Sequence, residues 1–249
     1  MRFLFLLSAC TATEETKEPP TPPERVVIHE VFSGSNCGPC APAAENLFAA
    51  LADMDGKYSI IKYQLGSDPY ITAEAVNRRM FYLPGESTYD IPFVHADGNG
   101  FHPNNMDENE TPYSAEDFQA FHSEPSILGI ELEVEFDAQT VDISVRLEPW
   151  EDISAENLRL LVSINEKTTH ENIGSNGQTE FHHVLKKFIP DESGTLLDPL
   201  LAGDTSSHSF EYTFAGEYDE AAGFGSMVDH DVAHTVEDFG NLEVLVWVQ

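Results

Sequence analysis

The chain is short of cations, of cysteine and of long apolar runs. Only 12 of its 249 residues are Lys or Arg, against 44 Asp or Glu, for a formal net charge of −32. A surface that acidic repels phosphate backbones and anionic head groups, which excludes nucleic acid as the main ligand. No stretch reaches the roughly 18 consecutive apolar residues that a membrane-spanning helix needs. A nucleophile elbow, a P-loop and a dinucleotide fingerprint are all missing. The acidic segment 97–110 lacks the spaced carboxylates and turn glycine of a calcium-binding EF-hand, and reads as a solvated loop. What is present suffices for folding: 41% of the residues are hydrophobic, enough to bury real cores in one large domain or two small ones. The acidic residues are spread along the chain, which reads as a solubilising surface in preference to a cation-binding one.

Three cysteines is an odd number, and each needs a reason. Cys10 follows Arg2, the apolar run Phe3–Leu7 and the small residues Ser8 and Ala9. A cation, an apolar run and small residues before a cut describe a secretory signal over residues 1–9. Its apolar core is shorter than usual, so either the true start lies upstream or the signal is minimal. Leu7-Ser8-Ala9-Cys10 also resembles the lipobox of bacterial lipoproteins, which implies a lipidated Cys10. The alternative is a buried N-terminal strand with an ordinary cysteine. Residues 10–24 hold Pro19, Pro20, Pro22 and Pro23 and almost no large apolar group, so they read as a stiff polar tether.

The remaining cysteines form Cys37-Gly38-Pro39-Cys40. Val26–Phe32 before them is β-branched and apolar and reads as a strand. After them Ala44, Leu47, Phe48 and Leu51 recur at i, i+3, i+4 and i+7, one face of a helix. Cys37 therefore stands at or just before a helix N-terminus, where unpaired N–H groups and the dipole favour a thiolate. Cys40, one turn inside, is the more shielded. An exposed, low-pKa attacker beside a shielded resolving thiol is what disulfide exchange requires. Tyr58–Leu65 reads as a second central strand. Ile91–Ala96 reads as a strand opened by Pro92 and leading into an Asp97-Gly98 hairpin.

These residues resemble the thioredoxin family: CGPC is that family's active-site tetrapeptide, it follows the right strand, and Ile91-Pro92 matches its cis-proline. The resemblance implies a thioredoxin-like domain over residues 25–124, with Cys37 as attacking thiol, Cys40 as resolving thiol, a Cys37–Cys40 disulfide, and Pro92 as the cis-proline. It also offers Glu30 and Lys62 as a buried pair passing protons to Cys40. Glu30 lies one residue further from Cys37 than the family's Asp, and the other reading of both residues is edge or solvent-facing charge. Asn36 replaces the family's usual Trp. Arg78 and Arg79 read as surface charges or salt-bridge partners in preference to an anion clamp.

From Ser126 the period changes to two. Ile130, Leu132, Val134 and Phe136 alternate with glutamates, a turn follows at 137–140, and Val141, Ile143, Val145 and Leu147 alternate with polar residues. That is an antiparallel hairpin with one wet face. Further strands are expected at 158–165, 183–189, 207–214 and 242–248, suggesting an immunoglobulin-like all-β sandwich over residues 125–249. The α/β unit, the β unit and the lipobox together resemble a family of outer-membrane-related bacterial lipoproteins, with Phe181–Pro190 and Gly194 resembling a segment of its second domain.

A zinc site needs four ligands, and one CxxC supplies two. His230 and His234, four apart in an acidic, Gly-rich stretch, read as loop residues in preference to metal ligands. The expected function is a lipid-anchored thiol–disulfide oxidoreductase of the cell envelope, at the outer membrane. It would act on protein thiols and disulfides and needs no cofactor, because the two thiols carry the electrons. The alternative is a non-enzymatic binding lipoprotein with an inert disulfide on the same scaffold. The sequence does not speak to oligomeric state.

Overall fold

A computed structural model describes residues 22–84, 91–101, 113–221 and 226–249. Cys10 and the signal and tether expected before it lie outside the described residues, apart from the tether's last three. The β-branched run becomes β1 (Val27–Ser33), which pairs in parallel with β2 (Tyr58–Gln64). Their connection is α1 (Cys40–Leu51), making a β-α-β unit. The helix buries Cys40, Ala43, Leu47 and Leu51, with Phe48 packed at the margin. Its inner face is thus centred on Ala43, one residue from the expected Ala44.

On the far side of β1 runs β3 (Phe93–Ala96), antiparallel, and it turns at Asp97-Gly98 into β4 (Asn99–Phe101). Both turn residues take positive φ, 46° and 80°, the conformation that makes Asp-Gly a hairpin signal. Two further helices flank the sheet. In α2 (Ala73–Tyr82) the Thr72 hydroxyl caps the Ala75 N–H, and α3 (Ala115–Ser123) begins with a Ser114–Asp117 capping box.

The expected β-strands of the second half are present: β5 (Leu128–Asp137), β6 (Thr140–Pro149), β7 (Arg159–Thr169), β8 (Phe181–Ile189), β10 (Ser206–Thr213) and β13 (Leu242–Val248). Three two-residue strands complete the set: β9 (Thr195–Leu196), β11 (Glu217–Tyr218) and β12 (Ala233–His234). Their assembly departs from a self-contained sandwich. Of the long strands only β10, β6 and β5 form a sheet of their own, and the short β11 and β12 pair with each other. The other large strands extend the first sheet, whose order is β13-β7-β8-β2-β1-β3-β4, with β9 paired to β7. The join is a parallel contact at Lys62 and Val184. The coarse organisation, an α/β part followed by a β-rich part, is therefore present, while hydrogen bonding runs across the expected boundary between residues 124 and 125.

Three large apolar clusters hold the layers, with a small fourth at Tyr70, Phe181 and Val184 among the described residues. Val27, Val31, Leu47, Leu51, Ile60 and Phe118 lie between the sheet and α1 and α3. On the opposite face Phe32, Ile61 and Tyr63 meet Leu161, Leu185 and Trp247 from the second half. The alternating β6 residues Val141, Ile143, Val145 and Leu147 pack on Leu160, Val162 and Ile164 of β7. Truncating any fully buried Leu or Ile here costs about 2–5 kcal/mol. Polar ties reinforce the union of the halves, including Asn77 Nδ2 to Glu192 Oε1 at 2.8 Å and an edge-on contact of Phe48 with His182.

Candidate functional site

At Ser33 the sheet ends, and residues 34–39 make the turn into α1. Cys37 N donates to Gly34 O at 3.1 Å and Cys40 N to Cys37 O at 3.1 Å, closing two successive tight turns. Cys37 and Cys40 are disulfide-bonded. Their exposure is unequal, since Cys40 is 1% exposed and Cys37 is half-buried. No side chain caps α1, whose N-cap is Pro39, so the positive end of its dipole is directed at the cysteine loop.

The Ile91–Pro92 bond is cis and Pro92 is buried. The Ile91 carbonyl oxygen stands 3.6 Å from Cys37 Sγ, a separation at which a reduced Cys37 thiol would donate a weak hydrogen bond. A groove of about 350 Å³ opens beside Cys37, lined by Asn36, Pro39, Leu65, Gly66, Ser67 and Ile91. None of these side chains carries a charge.

Glu30 and Lys62 do not meet. In the parallel register Glu30 lies beside Ile61 and Lys62 beside Val31, so the two side chains project from opposite faces of the sheet. Neither is solvent-facing, with Glu30 1% and Lys62 2% exposed. Glu30 instead takes Arg78 as its partner, through Nε to Oε1 at 2.6 Å and Nη2 to Oε2 at 3.0 Å. The hydroxyls of Tyr63 and Tyr82 also donate to it. Arg78 is thus a salt-bridge partner, and its guanidinium further reaches Gln249 Oε1 at the end of β13. The one-residue offset from Cys37 decides the outcome: an odd step along a strand turns the carboxylate away from α1.

Lys62 sits on the face that α1 covers. Burial pushes its ammonium down to about 8, partly offset by the carboxylate of Asp68. Asp68 is itself 1% exposed, and burial raises its carboxyl, opposed by hydrogen bonds to its charged form. Those bonds tie the site together, since Asp68 Oδ2 accepts from Ser35 N and Oδ1 from Tyr70 N, both at 2.8 Å. Beside them Lys186, pushed down to about 8 by burial, lies 3.1 Å from Glu166 and over the Tyr70 ring.

Sequence reading missed Asp68 as an anchor and missed the loop 170–180 between β7 and β8. The Asp68-Pro69-Tyr70 turn offered a signal for the first. For the second, Gly174-Ser175-Asn176-Gly177 marked a turn but not its destination. Asn36, immediately before Cys37, was the remaining clue, because its Oδ1 accepts from Ser175 N at 3.0 Å while its Nδ2 donates to Ser67 O at 3.0 Å. His230 contacts Glu74 at 3.3 Å and His234 contacts Gln139, so the two histidines have separate partners. Among the described residues no three His, Cys, Asp or Glu side chains are grouped to hold a metal.

No protein-family model matches the chain, and no curated protein matches it. Among solved structures, HBP35 of Porphyromonas gingivalis aligns with a TM-score of 0.62 at 12% identity, covering 89% of this chain and 75% of that one. At that identity the likeness shows the fold alone. A structural-genomics target protein from Agrobacterium tumefaciens aligns with a TM-score of 0.45 at 12% identity, over 90% of this chain and 95% of that one.

Proposed function

We propose that the protein is a thioredoxin-like thiol–disulfide oxidoreductase, held at a cell-envelope membrane by a lipid on Cys10 and acting on protein thiols and disulfides. One observation carries the redox reading. A Cys37–Cys40 disulfide lies between a strand and a helix N-terminus, with the half-exposed sulfur beside an open groove and its partner buried. The anchor and its membrane rest on the sequence of residues 1–24.

In the reducing direction the Cys37 thiolate attacks one sulfur of a partner disulfide. A Cys37–partner disulfide forms, and the released partner sulfur leaves as a thiolate that takes up a proton. Cys40 then loses its proton and attacks Cys37 Sγ, expelling the second partner thiolate and closing the Cys37–Cys40 disulfide. Two electrons pass to the partner, and run backwards the same steps oxidise a dithiol. Position governs the roles: Cys37 faces the groove and the helix dipole, whereas buried Cys40 reaches only Cys37 Sγ, once that sulfur is joined to the partner. Lys62, buried on the α1 side with its ammonium near 8, is the residue suited to exchange a proton near Cys40.

Trapping tests the reading. Cys40→Ser should accumulate mixed disulfides between Cys37 and envelope proteins, resolved by non-reducing electrophoresis. Cys37→Ser should abolish both the adducts and the exchange. If Cys40→Ser yields no adduct, the disulfide is inert and the binding-lipoprotein reading replaces this one.

A further inference from the structure

Beyond the redox chemistry, the loop joining β7 and β8 has a role that the cysteine motif does not announce. It begins firmly pinned: His170 N and Glu171 N both donate to the Glu237 carboxylate, at 2.8 to 2.9 Å, and Tyr70 Oη donates to the same group at 2.6 Å. From there the chain runs onto the residues just before Cys37. Ser175 N meets Asn36 Oδ1 at 3.0 Å, Asn176 N meets Ser35 O at 2.9 Å, and Asn176 Nδ2 meets Gly34 O at 3.2 Å. Contact is so close at Gly174 that a Cβ there would stand 2.4 Å from the carbonyl carbon and oxygen of Ser35. Only glycine permits that approach.

We propose that this loop is the second wall of the exchange site and selects which disulfides reach Cys37. The inference rests on the redox reading above. The first wall, Leu65–Ser67 with Ile91, belongs to the α/β part, and the second comes from the β-rich part. Asn36 joins them, spending its amide N–H on Ser67 and its amide oxygen on Ser175. The loop occupies the side of Cys37 formed by Gly34, Ser35 and Asn36, leaving the uncharged groove as the approach. A groove of about 350 Å³ is at the small end of ligand sites and accommodates a few side chains. The partner class it fits is a disulfide on an extended, protruding segment with small or uncharged neighbours, or a small-molecule disulfide. A disulfide lying flush with a folded surface is excluded by the second wall. Asn36, Gly174 and Asn176 are accordingly positioning residues for specificity.

The test uses the full chain with Gly174→Ala, which pushes the loop away by contact, and separately Asn176→Ala, which removes the side-chain tie to Gly34 and two bonds to Gln178 and keeps the backbone. Reduction rates are compared for oxidised glutathione and for insulin. In parallel, with Cys10→Ser and Cys40→Ser added, Cys37 is alkylated by iodoacetamide and by a maleimide carried on a polyethylene glycol chain. Opening the wall should raise the large-to-small ratio of rates about tenfold in both assays. Ratios within about twofold of the parent protein, with faster amide exchange in residues 172–178 proving the loop released, would overturn the proposal. If glutathione exchange is absent in the parent but the alkylation ratio still rises, the wall stands and the redox reading falls. If exchange is present and the ratios do not move, the redox reading stands and the wall falls.

Discussion

The two faces of strands β1 and β2 treat buried charge in opposite ways. On the α2 face Glu30 is fully engaged, by two guanidinium N–H groups and two phenols. On the α1 face Lys62 is as deeply buried but forms no ion pair among the described residues, and Asp68 acts on it only through its field. A saturated carboxylate has nothing left to exchange and holds α2 to the sheet. An ammonium without an ion-pair partner is pushed down to about 8, where it can exchange a proton in the mechanism proposed above. The difference arises from side-chain parity alone, since the two residues occupy adjacent register positions on neighbouring strands.

The largest effect that would break this comparison is Glu30→Ala. It leaves the Arg78 charge buried without its carboxylate, which should destabilise the fold by about 3–5 kcal/mol in urea unfolding. The reduction potential of the disulfide should stay where it is if Glu30 is purely structural. A change in potential at little cost in stability would reverse the assignment.

Lys62→Met comes next. Burial lowers the Lys62 pKa from 10.5 to about 8. Between those values the unfolded chain binds the proton that the native protein has released, so this residue makes stability rise with pH across that window. Below about 8 its full cost is present. Replacing it should stabilise the protein at neutral pH by about 2–3 kcal/mol and remove part of that alkaline rise, with Lys186 supplying the remainder. The step that resolves the mixed disulfide should slow about tenfold, and an inflection near pH 8 should vanish from its pH profile.

A smaller effect sharpens the comparison at the acid end. His29, two residues before Val31 on the Lys62 face, is neutral because burial lowers its pKa from 6.5 to about 4, opposed by the Ser59 backbone. As pH falls below 6.5 the unfolded chain takes up a proton that the native protein refuses, so stability declines toward pH 4. Between pH 6.5 and 5 the loss should be about 1–2 kcal/mol, and His29→Phe should flatten it in the same unfolding assay. His95, lowered to about 4 by burial, moves in the same direction and leaves a residual slope.

Much of this was legible in the sequence because it is local. A CxxC between a β-branched run and a helical period placed the disulfide, Asp97-Gly98 placed the hairpin, and the two-residue period placed β5 and β6. What escaped is non-local. Periodicity gives a strand its buried face but not its neighbour, so β8 beside β2 could not be read from Phe181–Ile189, and an independent sandwich was expected. Nor does any pattern in Arg78 announce Glu30, 48 residues away, as its partner. Asn36 carried a trace of the hidden loop. Its amide ties the cysteine turn to Ser67 and Ser175 at once, and nothing in its local pattern names either partner.

The most direct test of the account is the reduction potential of the Cys37–Cys40 pair, measured by equilibrating the protein with a graded series of thiol–disulfide buffers while far-UV circular dichroism reports the fold. Reversible cycling at constant ellipticity, through a single two-electron transition, is the result predicted for an exchange site. Reduction that occurs only together with unfolding would contradict it and leave the disulfide as an inert part of a binding protein.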